Sequence, residues 1–280
     1  MVYEGMGADQ LKAMNVDRAI KGIALNSYTL RKLLMTGSTK AWQNSYYRES
    51  DKTFRIVTDI PRGAQFPQDH NLNEKLSVYQ DKRGLETFIL EEDIKADNVD
   101  HIQRALKRLA DRIARSVDAT IYTALTTDNG RTLAASATWD NATRASRIPH
   151  EDLFRARALL ADSNNNSYKA DSALFSEGDW PYIVSNDTIM DSFDASGPNV
   201  MQNGNMGRIA GLEATVSVSV DADEACVMQS KVAGTWFALE GMKTFRKEDP
   251  GIGVLVRAWE YGAVAITDPS AICIITNTRA

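Results

Sequence analysis

Three histidines and two cysteines are the residues of this chain best suited to metal or nucleophilic chemistry. Their spacing supports neither. His70, His101 and His150 stand apart, with no His-Glu-x-x-His and no paired Cys-x-x-Cys to close a zinc site. Cys226 and Cys273 each lie inside an apolar, strand-like run, the setting of a buried thiol. A disulfide between them would need their Cα atoms within about 7 Å. There is no Gly-x-Ser-x-Gly elbow for a nucleophilic serine and no Gly-Lys-Ser/Thr to cradle a phosphate. Gly204, Gly207 and Gly211 form a loose series, but they precede a strand, whereas a nucleotide loop leads into a helix. Glu91-Glu92-Asp93 is a carboxylate cluster beside a charged hairpin, the setting of solvated or salt-bridged acids. No catalytic, cofactor-binding or metal-binding residue is therefore expected. Sites can assemble from distant residues, so the order of elements carries more information.

The totals bound the fold. The chain has 280 residues, 43% hydrophobic and 25% charged, enough apolar material for one or two domains. No run of about 18 apolar residues occurs, and the N-terminus lacks a basic-then-apolar signal, so a cytosolic protein with no membrane span is expected. A net charge of −5 argues against tight nucleic-acid binding, which needs a clustered basic surface.

The elements follow from periodicity. Residues 1–50 carry Val16, Ile20, Ile23, Leu30, Leu33 and Leu34 at loose helical spacing, weakened by Gly22 and Gly37-Ser38. They read either as a short helix on its own core or as an arm reaching a neighbour. Residues 51–92 read as a long charged hairpin: a strand at Phe54–Val57, breaks at Pro61, Gly63 and Pro67, alternation at Leu76–Tyr79, a turn at Asp81–Gly84 and a strand at Leu85–Leu90. That hairpin holds too little apolar mass to bury itself, and excursions of this size are usually functional.

The strongest signal is the series Val99, Ile102, Leu106, Leu109, Ile113, Val117, Ile121 and Leu125, one apolar stripe on a helix of roughly 40 Å. Asp97 or Asn98 can cap its start, and Gly130 is placed to end it in a left-handed conformation. Asp100–Arg104, Lys107–Asp111 and Asp111–Arg115 stand at i,i+4 spacing on its polar face. Residues 131–147 read as a surface loop. A second helix starts at Pro149, a strand runs over Asp171–Ser176, and a short helix follows Trp180. Leu212, Ala214, Val216, Val218 and Val220 alternate with polar residues as one strand. Further strands are expected at Ala225–Gln229, Thr235–Leu239, Lys243–Arg246, Ile252–Tyr261, Ala263–Thr267 and Ala271–Thr276. Helices in the middle and antiparallel sheet afterwards make an α+β architecture.

This order resembles the Hong Kong 97 fold of tailed-virus major capsid proteins. Leu85–Asp93 is similar to the lead from that family's extended loop into its spine helix. Asp171–Ser176 with Trp180 is similar to the strand after its second helix, and Gly207–Val216 to its G-x-I-x-G-hydrophobic-x-V lead into a strand. Gly262–Ile266 with Asp268–Ile272 resembles its ending. The likeness covers nearly the whole chain. It implies an N-terminal arm (1–50), an extended loop with its lead-in strand (51–92), and a peripheral domain (93–185, returning near 246–262). It also implies an axial domain (186–245, with a C-terminal strand near 263–280).

The function so implied is assembly without catalysis. Many copies would close as pentamers and hexamers into a virion shell around double-stranded DNA, built in the host cytoplasm with a separate scaffolding protein and a portal. The mixed charges Arg55, Asp59, Arg62, Asp69, Glu74, Lys75, Lys82 and Arg83 suit polar contacts between subunits, which favour register over raw affinity. Some relatives cross-link an extended-loop lysine to an asparagine; Lys75 or Lys82 with Asn277 would supply the types, and nothing in the sequence selects them. Two other readings stay open: an encapsulin-like nanocompartment that holds proteins, and a soluble α+β enzyme whose site is assembled from distant residues.

Overall fold

The computed structural model describes residues 12–49, 60–65, 73–96, 99–143, 146–161, 168–186, 188–189 and 207–280. The chain divides into two compact units. One comprises Met1–Asn44, Val78–Ala124 and Thr235–Ala265; the other comprises Ser45–Ser77, Leu125–Gly234 and Ile266–Ala280. The strand expected at Phe54–Val57, the turn around Asp69 and the caps Asp97 and Asn98 lie outside the described residues.

The first unit is organised by a long helix. Its helices are α1 (Ala13–Ser27), α2 (Glu91–Lys95) and α3 (Val99–Thr127), with strands β1 (Met35–Ser38) and β4 (Asp81–Leu90); β2 (Gln43–Arg48) and β3 (Glu74–Tyr79) fall largely in the second unit. From Ile102 to Leu125 every apolar position of the α3 stripe is at most 3% exposed. Removing seven such side chains from water, at about 1.5–3 kcal/mol each, is what holds the helix in place. Helix α1 runs unbroken through Gly22, and its Val16, Ile20 and Ala24 are buried, so this part of the N-terminal segment packs on its own unit.

A four-stranded sheet completes this unit, in the order β1-β10-β11-β4, with β10 (Gly234–Asp249) and β11 (Gly253–Ile266) at its centre. Strand β1 pairs parallel to β10, and β4 antiparallel to β11 over ten registered pairs, Gly253↔Leu90 to Gly262↔Asp81. Two expectations change here. Asp81–Gly84 is no turn; it continues β4, with Gly84 opposite Trp259. The separate strands expected between 235 and 267 are two long ones, and Gly241 and Gly262 lie within them. Gly262 has a packing reason: a Cβ there would fall 2.1 Å from the Trp236 ring, which lies against the bare backbone.

The second unit is a six-stranded mixed sheet, order β5-β12-β9-β6-β8-β7. Its strands are β5 (Arg131–Ala134), β6 (Ser172–Ser176), β7 (Arg208–Ile209), β8 (Leu212–Ser217), β9 (Glu224–Met228) and β12 (Ile272–Thr276). Strands β12, β9 and β6 are buried along nearly their whole length, which is why they read as continuous apolar runs rather than alternating ones. Helix α4 (Pro149–Leu160), with proline in its first turn, buries Leu153, Ala156 and Leu160, and α5 (Trp180–Val184) follows β6.

Residues 131–143 are a surface loop only in part. They include β5, and Trp139 is fully buried because Asp152, itself fully buried, accepts from Trp139 Nε1 (3.0 Å), Ser136 N (3.0 Å) and Ser136 Oγ (2.7 Å). Gly130 does not take a left-handed conformation. Its N–H donates to Pro269 O at 2.9 Å, and a Cβ would meet that carbonyl at 2.6 Å, so close backbone approach is its reason. The alternation of β8 stops at Ser217, which is buried while Val218 is 57% exposed. Cys226 and Cys273 are free, buried thiols on neighbouring strands. Cys226 stands opposite Ile274 and Cys273 opposite Val227, so the two side chains leave opposite faces of the sheet. Burial pushes both thiols up, Cys273 to about 11.

Two substitutions test this packing by chemical denaturation. Ile113→Ala should cost about 2–4 kcal/mol, as deletion of a buried branched side chain does. Gly262→Ala, which drives a methyl into the Trp236 ring, should destabilise the fold by at least about 1–3 kcal/mol; a neutral result would show that Trp236 is free to move.

Candidate assembly surface and its anchoring network

Buried carboxylates tie the first unit together. Asp118 interrupts the polar side of α3 at 2% exposure. Charge at that depth is tolerated only when hydrogen-bonded. Thr29 donates to it from its backbone (2.8 Å) and from Oγ1 (2.6 Å), and Arg31 N donates at 3.3 Å. Those bonds fix the 3-10 turn Leu30–Leu33 that links α1 to β1.

Glu260, 1% exposed on β11, receives Tyr28 Oη at 2.7 Å and lies 3.5 Å from Arg31 Nη1. The Arg31 guanidinium also stacks over Tyr28 (4.7 Å) and Trp236 (5.5 Å). Desolvation holds the Glu260 carboxyl above the usual carboxylate range, against the hydrogen bond from Tyr28 and the nearby Arg31 and Arg83 charges.

Arg83 belongs to this network. It donates to Gly262 O (3.1 Å) and Thr120 Oγ1 (3.2 Å), and it faces the Trp236 ring at 5.8 Å. Its side chain is 11% exposed, so Arg83 is committed inside its own unit. Lys82, its neighbour on β4, is exposed and lies over the Trp259 and Tyr261 rings at 5.9 and 5.5 Å. Arg62, Glu74 and Lys75 are exposed, whereas Arg55, Asp59 and Asp69 lie outside the described residues.

The outward-facing feature is a ribbon. Among the described residues, strand β2 pairs only with β3, in a two-stranded sheet, and no side chain on either strand is buried. Tyr47 is 62% exposed and Tyr79 59%. Two strands without a covered face are marginal on their own in water. The end of β2 is tied down by Arg48 Nη2, 2.5 Å from Asp128 Oδ1, and by Glu49 N donating to Thr267 O at 2.9 Å. At the other end Gln80 N donates to Trp42 O at 3.0 Å, and Trp42 meets Tyr261 edge-on at 5.9 Å. Sequence reasoning put residues 43–48 in the arm and missed these aromatics. The usable signal was Tyr46-Tyr47 after Trp42, a strand-prone cluster in a segment judged only for helical spacing.

The remaining chemical candidates are isolated. His101 Nδ1 lies 3.4 Å from Asp93, Glu91 pairs with Lys95 at 2.9 Å, and the described residues contain no cluster of three or more metal-ligating side chains. No helix is long and apolar enough to cross a membrane, among the described residues.

A pH titration tests the network. Because the Glu260 carboxyl is raised in the folded state, its ionisation costs stability from about pH 4.5 upward, through its folded value. Glu260→Gln, which still accepts from Tyr28, should therefore gain stability relative to the parent as pH rises across that window in urea titrations. The opposite slope would mean that Arg31 and Arg83 outweigh the burial cost.

The sequence profile of a family described as phage capsid protein matches residues 73–275. No curated protein matches by sequence. Among solved structures, the fold is similar to the capsid of the cyanophage P-SCSP1u (TM-score 0.67, 12% identity, covering 89% of this chain and 88% of that one). It is also similar to a virus-like particle from Pyrococcus furiosus (TM-score 0.64, 11% identity, 94% and 98%). A third likeness is to Mycobacterium phage Che8 (TM-score 0.58, 14% identity, 99% and 93%). The α+β architecture of this chain is thus the Hong Kong 97-type capsid fold. With the profile spanning well over half its length, the chain belongs to the phage capsid protein family.

Proposed function

We propose that many copies of this chain, as pentamers and hexamers, close into the head shell of a tailed virus around its double-stranded DNA. The observation that carries the assembly reading is the β2–β3 ribbon: exposed aromatics on a two-stranded sheet that, among the described residues, buries none of its own side chains. A partner surface supplies what the ribbon lacks, and in a shell the partner is a neighbouring copy. Arg62, Glu74, Lys75 and Lys82 are exposed and can add polar contacts that set register between copies. A separate scaffolding protein and a portal complete the head, which is built in the host cytoplasm and stays in the virion. The role is structural, and no reaction is assigned to the chain.

Electron microscopy of the purified protein, over a range of salt, tests this. Closed particles are expected for the parent. Tyr47→Glu, at an exposed position, should abolish them while leaving the thermal midpoint nearly unchanged. A uniform small oligomer under all conditions would overturn the shell reading, and normal particles from the Tyr47 variant would remove the ribbon from it. Particles from the native source should protect DNA from nuclease; protein cargo in its place would make the chain a nanocompartment shell.

A further inference from the structure

The acidic total of this chain hides a segregated charge. The three i,i+4 ion pairs that the spacing of α3 suggests do not form: among the described residues, none of Arg104, Lys107, Arg108, Arg112 and Arg115 meets a carboxylate within salt-bridge distance. Asp111, the acid shared by two of those pairs, is half-buried and accepts from Ser27 Oγ at 2.5 Å instead. All five cations are exposed. At 100° per residue they fall within one arc of about 140°, opposite the buried stripe. Of the acids on α3, only Asp100 is exposed, while Asp118 is committed to Thr29 and Arg31.

The composition of this face selects its partner. Protein-binding surfaces are anchored by aromatic or large apolar residues at their centres. The described side chains of α3 include no exposed large hydrophobic residue; Ala119, Asp100 and the half-buried Asp111 lie within the arc, and Gln103 and Ser116 flank it. Four of the five cations are arginine, whose planar fork matches phosphate oxygens in pairs. From Arg104 to Arg115 the helix advances roughly 16 Å, a length over which one strand of duplex DNA presents about five phosphates. Arg18 of α1, lining one groove with Lys107, adds a sixth cation at the edge.

We infer that the exposed face of α3 binds the phosphate backbone of double-stranded DNA, without reading its sequence. The inference rests on the capsid reading for the source of the DNA, and it turns this face toward the packaged genome. It revises the expectation from net charge: the total is acidic, but on this arc five exposed cations stand against one exposed acid, Asp100.

The test is fluorescence anisotropy of the unassembled full-length protein with a short duplex of arbitrary sequence, across a salt series. The parent should bind with log K falling against log salt at a slope of several units, bounded near −4.5 for five phosphates. Arg108→Gln with Arg112→Gln should weaken binding at least tenfold near 0.1 M salt and flatten the slope by about two. The charge-matched control Lys40→Gln with Lys169→Gln should change it less than twofold. Equal losses in both double variants, or no binding by the parent, would overturn the inference. So would a polyglutamate peptide that binds this face while DNA does not, since that assigns an acidic protein partner. Microscopy of the same variants separates the two readings. Intact shells with lost DNA binding support both, and DNA binding through this face by a chain that never forms shells leaves the inference standing while the capsid reading fails.

Discussion

Two buried carboxylates decide where the chain can go in the first unit. Asp118 on α3 and Glu260 on β11 are out of water, and an unpaired charge at that depth costs several kcal/mol. Both are answered by one short segment, Tyr28 to Arg31, which brings a phenol, a hydroxyl, two backbone N–H groups and a guanidinium. That segment joins α1 to β1. Satisfying the two acids therefore fixes the exit of the N-terminal helix, the parallel pairing of β1 with β10, and the start of the path toward the ribbon. A purely apolar contact could slide; this one cannot, because its donors and acceptors match at only one register.

The same logic explains which parts of the fold were legible. The α3 stripe, the proline start of α4 and the buried strand after it depend on local period and on φ, and those are written in consecutive residues. The errors share a cause. Asp81–Gly84 has turn composition, yet ten residues of β11 lie alongside and hold it extended. Residues 131–147 read as a polar loop, yet Asp152, from a later helix, holds Ser136 and the buried Trp139. Gly130 was judged by its own conformation, when its reason is the backbone of Pro269. In each case a partner distant in sequence overrides a local preference.

The candidate surface was legible in part. The charged loop was visible as a segment that could not bury itself, but the charges alone did not say which were free. Arg83 is enclosed by Gly262, Thr120 and Trp236, while Tyr47, in a stretch assigned to the arm, is exposed on the ribbon. On α3 the formal pairing of acids with bases was misleading in the same way, because Asp111 faces Ser27. Spacing gives which side chains can meet; only packing says which are already taken.

The two cysteines of the second unit have a consequence of a different kind. Their strands are neighbours, yet the register sends the sulfurs to opposite sides of the sheet, so oxidation cannot staple them without a one-residue slip that would invert a buried strand. Each thiol is also shielded from water and reluctant to ionise. A thiol reagent can therefore reach either one only while β9 and β12 part. The chain carries, without any engineered label, a clock for the breathing of that sheet, and the two sulfurs time the two faces separately.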